Sequence, residues 1–215
     1  MLPIGVYGLD IATAGMIGAP HLFDSVRPLR RLVTAPRILA DGSITEAPGY
    51  YPDARLFYVP KVRLGNLDLS LQDIKQTLEE PFLDFPVEGP SDLANILAVP
   101  LSIVCGELYR GLSPIAVPIA PKYGSGKTKV IKVGVRLATG NDPTTIDYEP
   151  GEAFTKEITS TLLQGPESIL IDNVAATLDS PRLAAIMTSE TTHARLLGGN
   201  QMATLENTCF WAATG

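Results

Sequence analysis

A short run of glycine, lysine and threonine residues is the part of this sequence whose spacing could do chemistry. The run reads Pro121-Lys122-Tyr123-Gly124-Ser125-Gly126-Lys127-Thr128. It has the form of a Gly-x-x-x-x-Gly-Lys-[Ser/Thr] loop, with Pro121 in place of the first glycine. In such a loop the backbone N–H groups cradle phosphate oxygens, the lysine reaches the β- and γ-phosphates, and the final hydroxyl binds Mg²⁺. The alternative is a glycine turn that carries a lysine by chance.

Phosphate chemistry of this kind needs a second group, an acid that holds Mg²⁺ from the end of a neighbouring strand. Asp172 meets this requirement, because it directly follows the apolar residues Ile169-Leu170-Ile171. Any buried strand can end in aspartate, so neither motif is specific alone. The loop and the acidic strand end together, with a strand and a helix between them, predict nucleotide binding.

Alternating strand and helix patterns from residue 112 onward must position these groups, and they predict a parallel sheet. Residues 129–138 fit either a strand or a helix, and we predict a helix because a phosphate loop requires a helix N-terminus there. Predicted strands cover 115–120, 144–148, 168–172 and 209–213. Predicted helices cover 152–164 and a segment that opens at Ser180-Pro181, and a hairpin covers 194–205 with its turn at Gly198-Gly199-Asn200.

The first 111 residues predict a small α+β module. Residues 1–24 could form a strand, Asp41-Gly42 predicts a hairpin turn, and residues 55–59 predict a strand. Two helices should follow, one from Ser70 to before Pro81 and one capped by Ser91, kinked at Pro100 and ended by Gly111. The predicted fold is therefore α/β: this module over 1–111 and an αβα sandwich of the P-loop NTPase type over 112–215.

Composition limits the partners that this chain could bind. Its net charge is −6 and its pI is about 4.9, unlike the strongly basic chains of free nucleic-acid binders. Arg27, Arg30, Arg31 and Arg37 could contact phosphate or form a solvated face.

Cys105 and Cys209 lie in apolar runs without metal-ligand spacing, which predicts buried thiols in a reducing compartment. We find no signal peptide and no membrane span, which predicts a cytoplasmic protein.

From about Arg27 to Gly215 the chain resembles the P-loop ATPases of the AAA+ and superfamily 3 helicase kind, found in primase–helicase proteins of phages and mobile elements. The resemblance rests on Thr34-Ala35-Pro36-Arg37, Asp41-Gly42-Ser43, Pro48-Gly49-Tyr50, residues 120–128, Leu170-Ile171-Asp172-Asn173-Val174, Arg195-Leu196-Leu197-Gly198 and Trp211-Ala212-Ala213-Thr214-Gly215. It implies an ATP-driven motor that works as a hexameric ring on DNA during replication. It also implies that Lys127 and Thr128 hold phosphate and Mg²⁺, that Asp172 holds Mg²⁺, and that the hairpin with Arg195 faces the ring channel and contacts DNA or a neighbouring subunit.

The chain departs from that family in three places. Asn173 stands where many such ATPases carry the glutamate that orients the attacking water, and the hairpin tip has no lysine or arginine. The family continues beyond Gly215 with a sensor asparagine, a further strand and an arginine-bearing region, so we expect a sheet truncated after the sensor strand. We therefore expect ATP binding with little hydrolysis. The alternatives are a shortened nucleotide-binding regulator without turnover and, more weakly, a P-loop small-molecule kinase.

Overall fold

The computed structural model of the chain describes residues 27–61, 65, 68–109, 112–122, 124–175, 177–195 and 202–215. Within them the protein is a mixed α/β structure with five α-helices and a four-stranded parallel sheet. The predicted α/β class is thus confirmed. Four predicted features lie outside the described residues: the possible strand in 1–24, Gly111, Tyr123 and the turn at Gly198-Gly199-Asn200.

The helices and strands have the following bounds. The helices are α1 (Leu71–Glu79), α2 (Pro90–Val104), α3 (Lys127–Thr139), α4 (Glu152–Leu163) and α5 (Pro181–Met187), with a 3₁₀ turn at Glu80–Phe82. The strands are β1 (Arg31–Val33), β2 (Gly49–Tyr51), β3 (Leu56–Tyr58), β4 (Ile115–Ala116), β5 (Thr144–Asp147), β6 (Ser168–Asp172), β7 (Thr191–Arg195), β8 (Met202–Glu206) and β9 (Phe210–Ala213). Every helix in this part of the chain is too short or too polar to cross a lipid bilayer.

The main sheet has the strand order β4-β9-β6-β5, and all neighbouring pairs are parallel. Strand β9 therefore separates the strand before the glycine loop from the strand that ends in Asp172. Side chains alternate across the sheet: Ile169 and Ile171 pack with α4 and α5, while Leu170 packs with α2 and α3. Helices thus cover both faces, which explains why β6 carries three consecutive buried apolar residues, Ile169 to Ile171.

Helix α3 forms despite its valines and isoleucine, and the helix that we predicted over 129–138 is confirmed. One face of α3 packs against β6, β9 and α2, with Val130, Ile131, Val135 and Ala138 buried. Gly134 lies against α2, where an added Cβ would come 2.7 Å from Val99 Cγ1. Burial of this face outweighs the weak helix propensity of β-branched residues.

The bounds of β4 and α2 differ from the sequence prediction. Strand β4 covers 115–116 rather than 115–120, which is consistent with Pro118, a residue without a backbone N–H for the sheet. Helix α2 begins at Pro90, with Gly89 rather than Ser91 before its first turn, and it continues through Pro100 to Val104. The predicted cap at Ser70 is confirmed, because its hydroxyl accepts a hydrogen bond from the N–H of Asp73 at 3.2 Å.

Strands β1, β3 and β2 form a small separate sheet next to a set of arginines. The Arg37 side chain is 2% exposed, donates to the carbonyl of Ala138 at 2.8 Å and forms an ion pair with Glu167. Burial lowers the pKa of Arg37 and the neighbouring Glu167 carboxylate partly offsets this shift. Arg37 therefore connects the segment before β2 to the end of α3 and the start of β6.

The other two inner arginines also bond within the chain. Arg31 is buried and donates to the carbonyl and the hydroxyl of Thr208, and Arg30 forms an ion pair with Glu107. The prediction of a phosphate-contacting or solvated patch is wrong for Arg30, Arg31 and Arg37, because carboxylates and carbonyls distant in sequence surround them. Arg27 is exposed and lies over the Tyr50 ring.

Candidate functional site

The glycine loop enters α3 through two residues in the left-handed region of backbone space. Gly124 has a φ of 74° and Gly126 a φ of 90°, and α3 begins at the next residue, Lys127. A side chain is disfavoured at these angles. An added Cβ at Gly126 would also lie 3.2 Å from the ring of Phe85. The loop conformation thus needs the glycines that the motif supplies, and it places Lys127 on the first turn of a helix.

Thr128 and Asp172 meet at the carboxyl edge of the sheet, as the sequence predicted. The hydroxyl of Thr128 donates to Asp172 Oδ1 at 3.1 Å. Thr214, at the residue after β9, donates to the same oxygen at 2.5 Å, and the backbone N–H of Asn173 does so at 3.0 Å. Three donors thus converge on one carboxylate oxygen, which fixes the orientation of Asp172.

These contacts set the protonation of Asp172. Partial burial on its own would raise the pKa of Asp172, but the hydrogen bonds from Thr214, the Asn173 N–H and Thr128, with the nearby Lys132 charge, lower it below the ordinary value. Hydrogen bonds to the charged form favour that form. Asp172 is therefore an anion at neutral pH, as a metal ligand must be.

Asn173 is exposed and adopts a left-handed backbone with a φ of 58°, which asparagine tolerates better than most residues. Its side-chain amide donates to Asp147 Oδ1 at 3.1 Å. Asp147 ends β5, the strand next to β6, and pairs in register with Asp172. Asn173, which follows the aspartate predicted to bind Mg²⁺, is thus hydrogen-bonded to a second carboxylate.

A cavity of 540 Å³ borders the loop on the side of α2. Its walls include Ser125, Gly126 and Lys127 from the loop and α3, and Phe85 and Ile96 from the other side. Within the described residues the Ser125 hydroxyl oxygen is buried and has no hydrogen-bond partner. A buried hydroxyl normally finds a partner, so this one fits a ligand that brings acceptor oxygens to the loop.

The residues present also fit Mg²⁺, which takes hard oxygen donors and usually combines one or two carboxylates with phosphates and waters. The Thr128 hydroxyl and the Asp172 carboxylate are donors of this kind. Among the described residues no group of three or more His, Cys, Asp or Glu side chains could hold a metal by itself.

Two residues of this site were missed by the sequence analysis. Thr214 and Asp147 reach it through strand pairing: β9 lies between β4 and β6, and β5 lies beside β6. A polar residue at the end of each predicted strand was the signal that could have found them. Arg195, the predicted DNA or subunit contact, ends β7 in a hairpin with β8, and its side chain lies outside what the structure describes.

A second cavity, of 600 Å³, lies between the small sheet and β8 and is lined by Arg30, Arg31 and Cys209. Burial raises the pKa of Cys209 to about 12 despite the nearby Arg31 charge. Its thiol is therefore protonated at neutral pH, and the predicted burial is confirmed for Cys209. Cys105, at the end of α2, is half-buried.

No protein-family model matches this sequence, and no curated protein shows significant similarity to it.

Proposed function

We propose that this chain binds Mg·ATP through the loop Gly124–Thr128 and Asp172, as the ATP-binding, ATPase part of a primase–helicase from a phage or mobile element. The observation that carries the proposal is the hydrogen bond between Thr128 and Asp172, which lie 44 residues apart in sequence. A glycine turn that carried a lysine by chance would not require a carboxylate at this position. A phosphate loop does, because the loop hydroxyl and the acid would together hold the Mg²⁺ that a bound nucleotide brings.

The surrounding groups suit the rest of the nucleotide. The N-terminus of α3 favours negative charge through the helix dipole, and Lys127 adds a cation in its first turn. The adjoining cavity is large enough for a nucleoside and has apolar walls at Phe85 and Ile96. Asp92 and Asn95 also line it and supply polar atoms that could bond the edge of a base.

The wider role rests on the resemblance to primase–helicase ATPases. Proteins of that kind assemble as hexameric rings on DNA, and the same assembly in the cytoplasm is our proposal for this chain. Arg30 and Arg31 bond to groups within the chain, so we expect the isolated protein to bind DNA weakly and in a salt-sensitive manner. Arg195 remains the candidate for a contact with DNA or with a neighbouring subunit.

Titration with a fluorescent ATP analogue in the presence of Mg²⁺ tests the proposal. Lys127→Ala removes a charge-assisted contact worth about 1.5–3 kcal/mol, so the dissociation constant should rise by roughly one to two decades. Lys129→Ala is the matched control, since this exposed lysine lies on the same helix two residues further on. Equal affinity of the wild type, Lys127→Ala and Lys129→Ala proteins would disprove nucleotide binding at the loop.

A further inference from the structure

Asp147 and Asp172 project from the same face of the sheet. The two residues are paired in register on parallel neighbouring strands, and Thr145 is likewise paired with Leu170. Paired residues of adjacent strands point to the same face, and Leu170 faces α2 and α3. The Asp147 carboxylate therefore lies on the side of the sheet where α3 and its glycine loop pack.

The Asn173 side chain binds this carboxylate. Its amide Nδ2 donates to Asp147 Oδ1 at 3.1 Å, while its backbone N–H donates to Asp172 Oδ1 at 3.0 Å. One asparagine in a left-handed conformation thus links the two acids. An ionised carboxylate has two acceptor oxygens, so Asp147 can bond Asn173 and a water molecule at the same time.

Asp147 differs from Asp172 in its exposure. The Asp172 side chain is half-buried under Thr128 and Thr214, whereas Asp147 is exposed at the end of β5. The two acids therefore suit different tasks: Asp172 is fixed and faces the loop hydroxyl, and Asp147 is open to water beside it. An ATPase needs both an acid that holds the metal and a group that orients the attacking water.

We propose that Asp147, held by Asn173, orients the water that attacks the γ-phosphate, and this inference rests on the proposed ATP binding. Asp147 accepts a hydrogen bond from the water, whose oxygen forms a bond to the γ-phosphorus. The bond from that phosphorus to the oxygen bridging to the β-phosphate breaks, and ADP leaves with the electron pair. The proton released from the water passes through Asp147 to the solvent, which leaves inorganic phosphate and ADP.

The test compares phosphate release, fluorescent-ATP affinity and thermal unfolding in the full chain. We expect the wild type to hydrolyse ATP and Asp147→Asn to release phosphate about 10²–10⁴ times more slowly, with nucleotide affinity and melting temperature unchanged. Glu149→Gln is the matched control, because it removes an exposed carboxylate two residues away. Asn173→Ala should lower kcat about tenfold or more without raising KM, since a misplaced group loses rate rather than binding.

The outcomes separate this inference from the proposed function. If the Asp147→Asn protein releases phosphate as fast as the Glu149→Gln protein, the proposed role of Asp147 is overturned. A wild type that binds ATP and releases no phosphate would also overturn it, and would leave the proposed nucleotide binding standing. A wild type that does not bind ATP at all would remove both proposals.

Discussion

The hydroxyl groups of Thr128 and Thr214 lie 3.1 Å apart and both donate to the same oxygen of Asp172. Thr128 belongs to the first turn of α3 and Thr214 follows β9, so the contact joins the glycine loop to two strand ends. Thr128, Thr214, Asp172 and Asn173 are thereby held in one bonded unit, since Asn173 donates its own N–H to Asp172.

Thr214→Val tests the contribution of this unit. The variant keeps the shape of the side chain and removes a partly buried hydrogen bond to a carboxylate, so we expect the free energy of unfolding to fall by about 1.5–3 kcal/mol. Nucleotide affinity should weaken in Mg²⁺ and stay unchanged in EDTA, because Asp172, the proposed metal ligand, would lose its orientation. Urea unfolding and fluorescent-ATP titration measure the two effects. Thr214→Ser, which keeps the hydroxyl, should behave nearly as the wild type.

The stability of the protein should depend on pH through Asp172. The pKa of this carboxyl is lower in the folded chain than its ordinary value of 3.8, so its ionisation stabilises the fold above that pH. The stabilisation is lost as the pH falls through the folded-state pKa. The difference in unfolding free energy between wild type and Asp172→Asn should therefore be constant from pH 6 to 8, by this linkage, and shrink below about pH 4. A difference that grows on acidification would contradict the assignment.

Gly134 sets the distance between α2 and α3. Gly134→Ala should place a methyl group 2.7 Å from Val99 Cγ1, an overpacking that typically costs about 1–3 kcal/mol. The gain in helix propensity, about 1 kcal/mol, does not offset it fully, so we expect a net loss of stability in urea unfolding. In the background of Val99→Ala the same substitution should become neutral or stabilising. An equal loss in both backgrounds would show that Val99 is not the cause.

The buried ion pair of Arg37 and Glu167 should contribute more to stability than the exposed ion pair of Arg55 and Glu206. Glu167→Ala leaves the guanidinium of Arg37 buried without its partner, which should cost about 3–5 kcal/mol in the free energy of unfolding. Glu206→Ala removes the partner of Arg55, whose side chain is 41% exposed, and should cost less than about 1 kcal/mol. Similar losses in the two variants would argue against a structural role for Arg37.

Much of the candidate site could be predicted from the sequence because its signals are local. The glycine loop, the helix after it and the acid at the end of β6 each occupy consecutive residues, and their meeting follows from the general form of parallel sheets. Strand β4 was overestimated because an apolar run does not show where pairing stops. Residues 1–24, Tyr123 and the hairpin turn are predictions that the described residues do not test.

The rest depends on contacts between distant residues. Arg37 and its acid partner are 130 residues apart, and a cluster of arginines by itself gives no sign that acids will cover it. Asp147 was missed because the resemblance places the water-orienting residue directly after Asp172, whereas Asp147 ends the neighbouring strand. The expectation of little turnover rested on Asn173 in place of the water-orienting glutamate and on the expected truncation, and measured phosphate release decides between the two predictions.

The position of β9 has a consequence for how the chain folds during synthesis. In the described sheet β4 pairs with β9, which is made last among the four strands. While residues 117–209 emerge from the ribosome, the apolar segment at 115–116 has no strand beside it, and pairing over such a separation is slow. The glycine loop should acquire its final position only when Phe210–Ala213 have joined the sheet, so a nascent chain should gain nucleotide affinity in its last step of folding.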